Sequence, residues 1–264
     1  MVKPKLELRL PRRAKPAKSS THDLIVGIHA VEGVLNERAE DLLELFAQRG
    51  RDDVRMHTLT ERCADLGLTV QYLERGRLDV MSDGARHQGV VARVRRAPEL
   101  AIETVLSRQL EDAGDLLILD GVSDPHNLGA CLRSAAAAGV KALIVARSRA
   151  APMTPVTRRV ACGGAELVPL CVVPNLARAL KQIAEFGMPI VGLAGETDMS
   201  IYAVDAGQAT ALVIGTEATG LRRLTREHCD AVVQIPMPGR IESLNMSVAA
   251  GIALFEFQRQ RLRS

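Results

Sequence analysis

The sequence predicts an α/β protein made of a small mixed α/β unit followed by a larger α/β unit. Three observations carry that expectation. Short apolar runs of strand type alternate with stretches at helical spacing from residue 22 almost to the end, the pattern of layered α/β domains. Two runs in the larger, second unit, residues 116–119 and 211–214, are apolar throughout and read as buried strands. Between the halves, residues 96–113 are charged, carry Pro98 and lack a strong apolar stripe, so they read as a linker. The composition, 47% hydrophobic and 25% charged over 264 residues, is that of a globular protein large enough for two modest domains.

Taken in order, residues 1–21 form a basic tail. Its first twenty positions hold seven Lys or Arg against one Glu, while the rest of the chain is slightly acidic. A charged, proline-containing tail is expected to be disordered, and it is able to grip phosphates through counterion release. Residues 22–95 form the first unit, with strands expected at 24–26, 42–46, 69–73 and 89–94 and helices at 29–40 and 54–66. Gly67 is a fitting stop for the second helix. Residues 114–264 form the second unit. There the pattern gives strands at 116–120, 141–145, 167–173, 190–193, 211–214 and 231–235. It gives helices at 128–138, 156–161 and 175–186 and a last one after Ser243.

Composition also removes several function classes. The five cysteines (63, 131, 162, 171 and 229) form no C-x-x-C pair and no metal-ligand spacing with histidine, which points to free thiols in a reducing cytoplasm and to no metal. No apolar run reaches membrane-spanning length. Aromatic residues are 2% of the chain, with no Trp, so an aromatic platform for stacking bases is not expected. RNA, if bound, is held by charge, shape and hydrogen bonds.

Three segments of the second unit concentrate polar groups at strand ends. The first is Asp124-Pro-His-Asn-Leu-Gly-Ala-Cys-Leu-Arg-Ser134, entering a helix of small residues. Asn127 reads there as an N-cap, and Arg133 lies in the second turn, with Gly129 one turn earlier. A lone helical Arg is ordinarily solvated. The second is Gly215-Thr-Glu-Ala-Thr-Gly220 after a buried strand; it lacks the Lys-Ser/Thr of a nucleotide-triphosphate loop, and no G-x-G-x-x-G follows any strand. The third runs from 231 to 257, where Pro236, Pro238 and Gly239 break the strand and leave backbone groups exposed. Ser243 reads as the N-cap of its helix, with Leu244, Val248, Ile252 and Phe255 at helical spacing and Ala249-Ala-Gly251 open to a close backbone.

These three strings resemble the three signature motifs of the SpoU-type methyltransferases, with Ala218 standing where family members often carry Gly. Gly27-Ile-His-Ala-Val31 and His87-Gln-Gly89 are similar to the N-terminal RNA-recognition domain of bacterial 23S rRNA guanosine 2′-O-methyltransferases. The resemblance implies an α/β domain with a deep C-terminal trefoil knot, a feature that physical rules alone would not suggest. It also implies a homodimer, S-adenosylmethionine as cofactor and a 23S rRNA ribose 2′-hydroxyl as substrate. Catalytic positions carried over are Asn127, Arg133, Glu217, Ser243 and Asn245, and cofactor contacts are Gly215, Ile235 and Leu244. Because a guanidinium keeps its proton in proteins, Arg133 is expected to bind phosphate and stabilise the developing alkoxide rather than act as base. Glu217 is expected to orient Arg133 or Asn127, and Ser243 and Asn245 to hold the ribose or brace the last helix. His126 and His228 rank lower as bases. The alternatives are a tRNA 2′-O-methyltransferase of the same superfamily and a catalytically silent RNA-binding factor.

Overall fold

The computed structural model describes residues 22–97 and 99–262. The basic tail expected at 1–21 lies outside the described residues. The first unit is built from β1 (His22–Val26), α1 (Ile28–Glu37), β2 (Leu42–Gln48), α2 (Val54–Asp65), β3 (Thr69–Leu73), α3 (Arg75–Met81) and β4 (Val90–Arg95). Its sheet runs β1-β4-β2-β3, with β4 antiparallel to both neighbours and β2 parallel to β3. Helix α2 starts at Asp53, whose carboxylate accepts from the Met56 N–H, and its chain is turned by Gly67 at φ +71°. The inward residues of α1, α2 and the sheet, among them Val31, Val34, Leu45 and Leu59, close a core of their own.

After β4 the chain crosses to the second unit: α4 (Ile102–Gln109), β5 (Leu116–Leu119), α5 (Pro125–Ala137), β6 (Ala142–Ala146), α6 (Pro155–Ala161), α7 (Gly164–Leu167), β7 (Leu170–Val173) and α8 (Leu176–Glu185). It ends with β8 (Ile190–Leu193), β9 (Ala211–Ile214), α9 (Arg223–Glu227), β10 (Ala231–Val233) and α10 (Met246–Arg261). The sheet order is β10-β8-β9-β5-β6-β7, and every pairing is parallel. Strands β5, β6, β8 and β9 are buried along their whole length, as a parallel sheet covered on both faces requires. One face packs against α5 and α10 through Leu128, Leu132, Leu254 and Phe257. The other packs against α4 and α8 through Ile102, Leu106, Leu180 and Ile183.

Several expectations shift by more than a residue or two. The stretch 96–113 holds α4, and Leu100 donates its N–H to the Leu170 carbonyl, so the connection is part of the second unit's packing. The expected strand over 167–173 begins as helix α7 and becomes strand only after Pro169. The last helix is capped by Asn245, not Ser243: the Asn245 side-chain oxygen accepts from Ser247 N–H at 2.9 Å, and Ser243 stays exposed in the preceding loop. The face of α10 that meets the core is Met246, Ala250, Ala253, Leu254 and Phe257. The Val248, Ile252 and Phe255 row points the other way, with Val248 49% and Phe255 51% exposed.

Candidate active site

Helix α5 is capped by Asp124, whose carboxylate accepts from His126 N–H at 2.9 Å. Asn127 therefore lies inside the first turn, and its side chain is free for another use. It takes one. Asn245 Nδ2 donates to Asn127 Oδ1 at 2.9 Å and to Glu217 Oε1 at 2.9 Å, and Met246 N–H donates to the same carboxylate oxygen at 3.1 Å. Asn127 Nδ2 stands 3.4 Å from that oxygen as well. One residue from each of the three strings thus converges on a single hydrogen-bonded cluster. An anion at the first turn of α10 is also favoured by the helix dipole.

The loop bearing Glu217 is closed on itself. Thr216 and Gly220 exchange backbone hydrogen bonds of 3.1 and 2.9 Å, and the two threonine hydroxyls of residues 216 and 219 meet at 2.8 Å. A Cβ on Gly215 would run into the backbone of Gly220 and Leu221, so only glycine permits this closure. Ala218 is absent from the residues with positive φ, so the departure from Gly at that position costs no backbone strain. Below the loop, Arg222 N–H donates to Asp120 Oδ2 at 3.0 Å, and the Arg222 guanidinium pairs with the same carboxylate. Burial pushes the Asp120 carboxyl above its ordinary range.

Outside the carboxyl ends of β8, β9 and β10 lies a cleft of about 680 Å³. It is walled by residues 193–196, 214–221 and the loop between β10 and α10. Gly215, Ile235 and Leu244, expected to contact the cofactor, all line it, and so do Glu217 and Ser243. The size falls within the roughly 300–1,000 Å³ of cofactor sites, and strand ends are where open α/β sheets take their ligands. The mixed lining of apolar side chains and loop backbone suits a nucleoside with an amino-acid arm, so the residues fit S-adenosylmethionine.

Arg133 stands apart from the Glu217 cluster. It follows Asn127 by six residues, about 240° further round α5. Its side chain is exposed, and Nη1 reaches Cys162 Sγ at 3.6 Å; the expected Glu217–Arg133 contact is not made. The sequence, with Gly129 one turn before Arg133, suggests open space above that glycine, and the structure fills it. A Cβ there would come within 2.5 Å of the Thr157 carbonyl oxygen, so Gly129 lets α6 press on α5. Sequence reading passed over Cys162 and Asp120; the φ of +49° at Cys162 and the buried carboxylate at Asp120 become visible only in three dimensions.

Comparison with known proteins places these features. Residues 115–255 match the SpoU rRNA Methylase family, and residues 24–100 match the RNA 2′-O ribose methyltransferase substrate binding family. A Pasteurella multocida protein named 23S rRNA (guanosine-2′-O-)-methyltransferase RlmB is 49% identical over 242 residues, covering 90% of this chain and 98% of its own. Its Vibrio vulnificus namesake is 47% identical, covering 92% and 99%. Among solved structures, the SpoU methyltransferase AviRb from Streptomyces viridochromogenes in complex with AdoMet shares the fold at a TM-score of 0.75 and 24% identity, over 92% of each chain. The A. aeolicus TrmH/SpoU tRNA modifying enzyme is 31% identical at a TM-score of 0.53 but covers only 62% of this chain. With its second unit matched along nearly its whole length and its relatives aligned end to end, the chain belongs to the SpoU rRNA methylase family.

Proposed function

We propose that this protein methylates the ribose 2′-hydroxyl of a guanosine in 23S rRNA, using S-adenosylmethionine. The observation that carries the proposal is the convergence of Asn127, Glu217 and Asn245 at the edge of the cleft lined by Gly215, Ile235 and Leu244. Relatives that align over both units and are named for this activity support the choice of rRNA, whereas the tRNA-modifying neighbour covers only 62% of this chain.

When bound, S-adenosylmethionine supplies an electrophilic methyl group on a sulfonium centre. The chain's own contribution is position and charge. Gly215, Ile235 and Leu244 line the cleft and would hold the cofactor there, largely through backbone. Glu217 ties Asn127 and Asn245 into one rigid edge, which we assign to orienting the target ribose together with Ser243. Arg133, an exposed cation on the same helix as Asn127 but facing away from the Glu217 cluster, is assigned to gripping the neighbouring phosphate and stabilising charge on the ribose oxygen, whose proton passes to a substrate phosphate or to water. Neither His126 nor His228 belongs to the hydrogen-bonded cluster.

Residues 22–95 are assigned to holding the RNA and residues 114–264 to the chemistry, the latter with a deep C-terminal trefoil knot, as the family resemblance implies. Helix α10 is apolar on both faces, and we assign its outer row to a homodimer contact. A cytoplasmic location follows from an rRNA substrate, and no helix among the described residues is long and apolar enough to cross a membrane. The test is mass-spectrometric mapping of ribose methylation in 23S rRNA and tRNA incubated with protein and S-adenosylmethionine. Methylation of a 23S guanosine is the expected result. Methylation of tRNA alone points to the tRNA reading, and no methylation with either RNA to a silent binder.

A further inference from the structure

Between the two units a small set of residues links the first sheet to the helix that carries Arg133. Asp23, on β1, is held by Arg96, just past β4, at 2.8 Å. It also pairs with Arg158 of α6 at 2.6 Å, and Arg158 pairs with Glu166 of α7. The Asp23, Arg158 and Glu166 side chains are 13%, 19% and 2% exposed. Burial pushes the Glu166 carboxyl upward and Arg158 draws it back, so the guanidinium is the group that makes this carboxylate tolerable inside.

The turn between α6 and α7 is pressed from both sides. Gly163, at φ +97°, faces the first unit: a Cβ there would lie 3.3 Å from Ala30 Cα of α1. Gly164 faces the opposite way, where a Cβ would lie 2.6 Å from the Leu132 carbonyl oxygen and 3.0 Å from Arg133 Cα. Cys162, in the same turn, holds the Arg133 guanidinium through its sulfur. One turn later Leu167 packs on Gly33 of α1. The first unit, the turn and the backbone of Arg133 are therefore packed in succession, and Asp23–Arg158 is a charged tie across them.

We propose that Arg158 is a positioning residue for methyl transfer, seating the first unit through Asp23 so that RNA held there is presented to Arg133 in register. The inference rests on the rRNA methyltransferase reading above. A tie of this kind adds little to the grip on RNA, because both side chains are largely buried and already paired. It acts on alignment, where displacements of about 1 Å carry large rate penalties.

Replacing Arg158 itself would strand Glu166 without a cation and threaten the fold, so the discriminating variant is Asp23→Asn. It keeps the side-chain size and leaves Arg158–Glu166 intact; because it also weakens Arg96–Asp23, Arg96→Gln is measured beside it and should leave kcat unchanged. Initial rates are measured over a range of 23S rRNA fragment concentrations, with S-adenosylmethionine affinity and melting temperature measured in parallel. The expected result is a fall in kcat of about tenfold or more, with KM for RNA, cofactor affinity and melting temperature little changed. Asp23→Glu, which restores the charge, should recover most of the rate. An unchanged kcat, a change confined to KM, or a rate loss that tracks melting or cofactor affinity overturns the proposal. Failure of the unaltered protein to methylate the fragment would instead strike at the underlying reading.

Discussion

Glu217 is exposed, yet one of its oxygens takes hydrogen bonds from three residues that lie far from it along the chain. Glu217→Ala should cost about 1 kcal/mol of stability, the net worth of such bonds. Its effect on methyl transfer should be far larger, about a hundredfold, because Asn127 and Asn245 lose their common anchor. Rates and melting curves on the same preparation check both. Arg133→Ala is expected to abolish transfer while barely moving the melting temperature, since its side chain fills no core space; a large fall in melting temperature would show a structural part instead. The thiols give a third test. Burial pushes Cys63 and Cys171 up to about 11 and Cys131 and Cys229 up to about 12, so they stay protonated and slow at pH 8. Cys162 is exposed and should be alkylated first, with a parallel loss of activity from the bulk placed beside Arg133. Peptide mass mapping against time reads this directly. At this scale the sequence was readable in residue type but not in partnership. Asn127 carries the chemistry of an N-cap, and only the position of Asp124 shows that the cap is already taken.

Helix α10 shows what periodicity conveys and where it is silent. Its Val248, Ile252 and Phe255 row is genuine helical spacing, although Leu244, which continues that spacing, lies in the loop before the helix, and Ala250, Ala253, Leu254 and Phe257 make a second apolar face. When both faces are apolar, spacing cannot say which one meets the core. Packing against β9 and α5 decides for the face with alanines, which lets the helix approach closely. The outer row is then left to another surface. Val248→Lys together with Phe255→Lys should convert a dimer to a monomer with little loss of protomer stability, because both side chains are about half exposed in the single chain. Sedimentation velocity with a parallel urea titration tests this, and a dimer that persists would remove α10 from the interface. Strands were easier to read. The runs at β3, β8 and β9 fall where the sequence places them, since four or five apolar or β-branched residues bounded by polar loops admit few alternatives. The helices α3, α7 and α9 span seven, four and five residues, too few for a periodic signal to emerge.

At the scale of the whole molecule, the boundary between the units governs which fragment survives alone. Residues 96–113 look like a linker because charge and Pro98 mask three apolar positions, yet Ile102, Val105 and Leu106 of α4 are buried against β5, β6 and α8. A fragment of residues 112–264 loses that helix and leaves one face of the sheet open. At about 1.5–3 kcal/mol for each buried aliphatic side chain, the loss is of the same order as the whole stability of a domain. That fragment is expected to be insoluble or molten. A fragment of residues 97–264 keeps α4 and the Leu100–Leu170 hydrogen bond, and should fold cooperatively and bind S-adenosylmethionine with the affinity of the full chain, because the Glu217 cluster and the cleft lie wholly within it. Methylation of rRNA by the same fragment should be poor. It lacks the surface assigned to RNA and the α1 helix that braces the turn behind Arg133, and a low-aromatic chain must hold RNA through many weak contacts spread over a wide area. Calorimetric titration with the cofactor and methylation rates on rRNA fragments, for both fragments and the intact chain, separate these effects. Full activity in the 97–264 fragment would detach the first unit from substrate recognition. Weak cofactor binding by a well-folded fragment would place part of the cofactor site in the first unit.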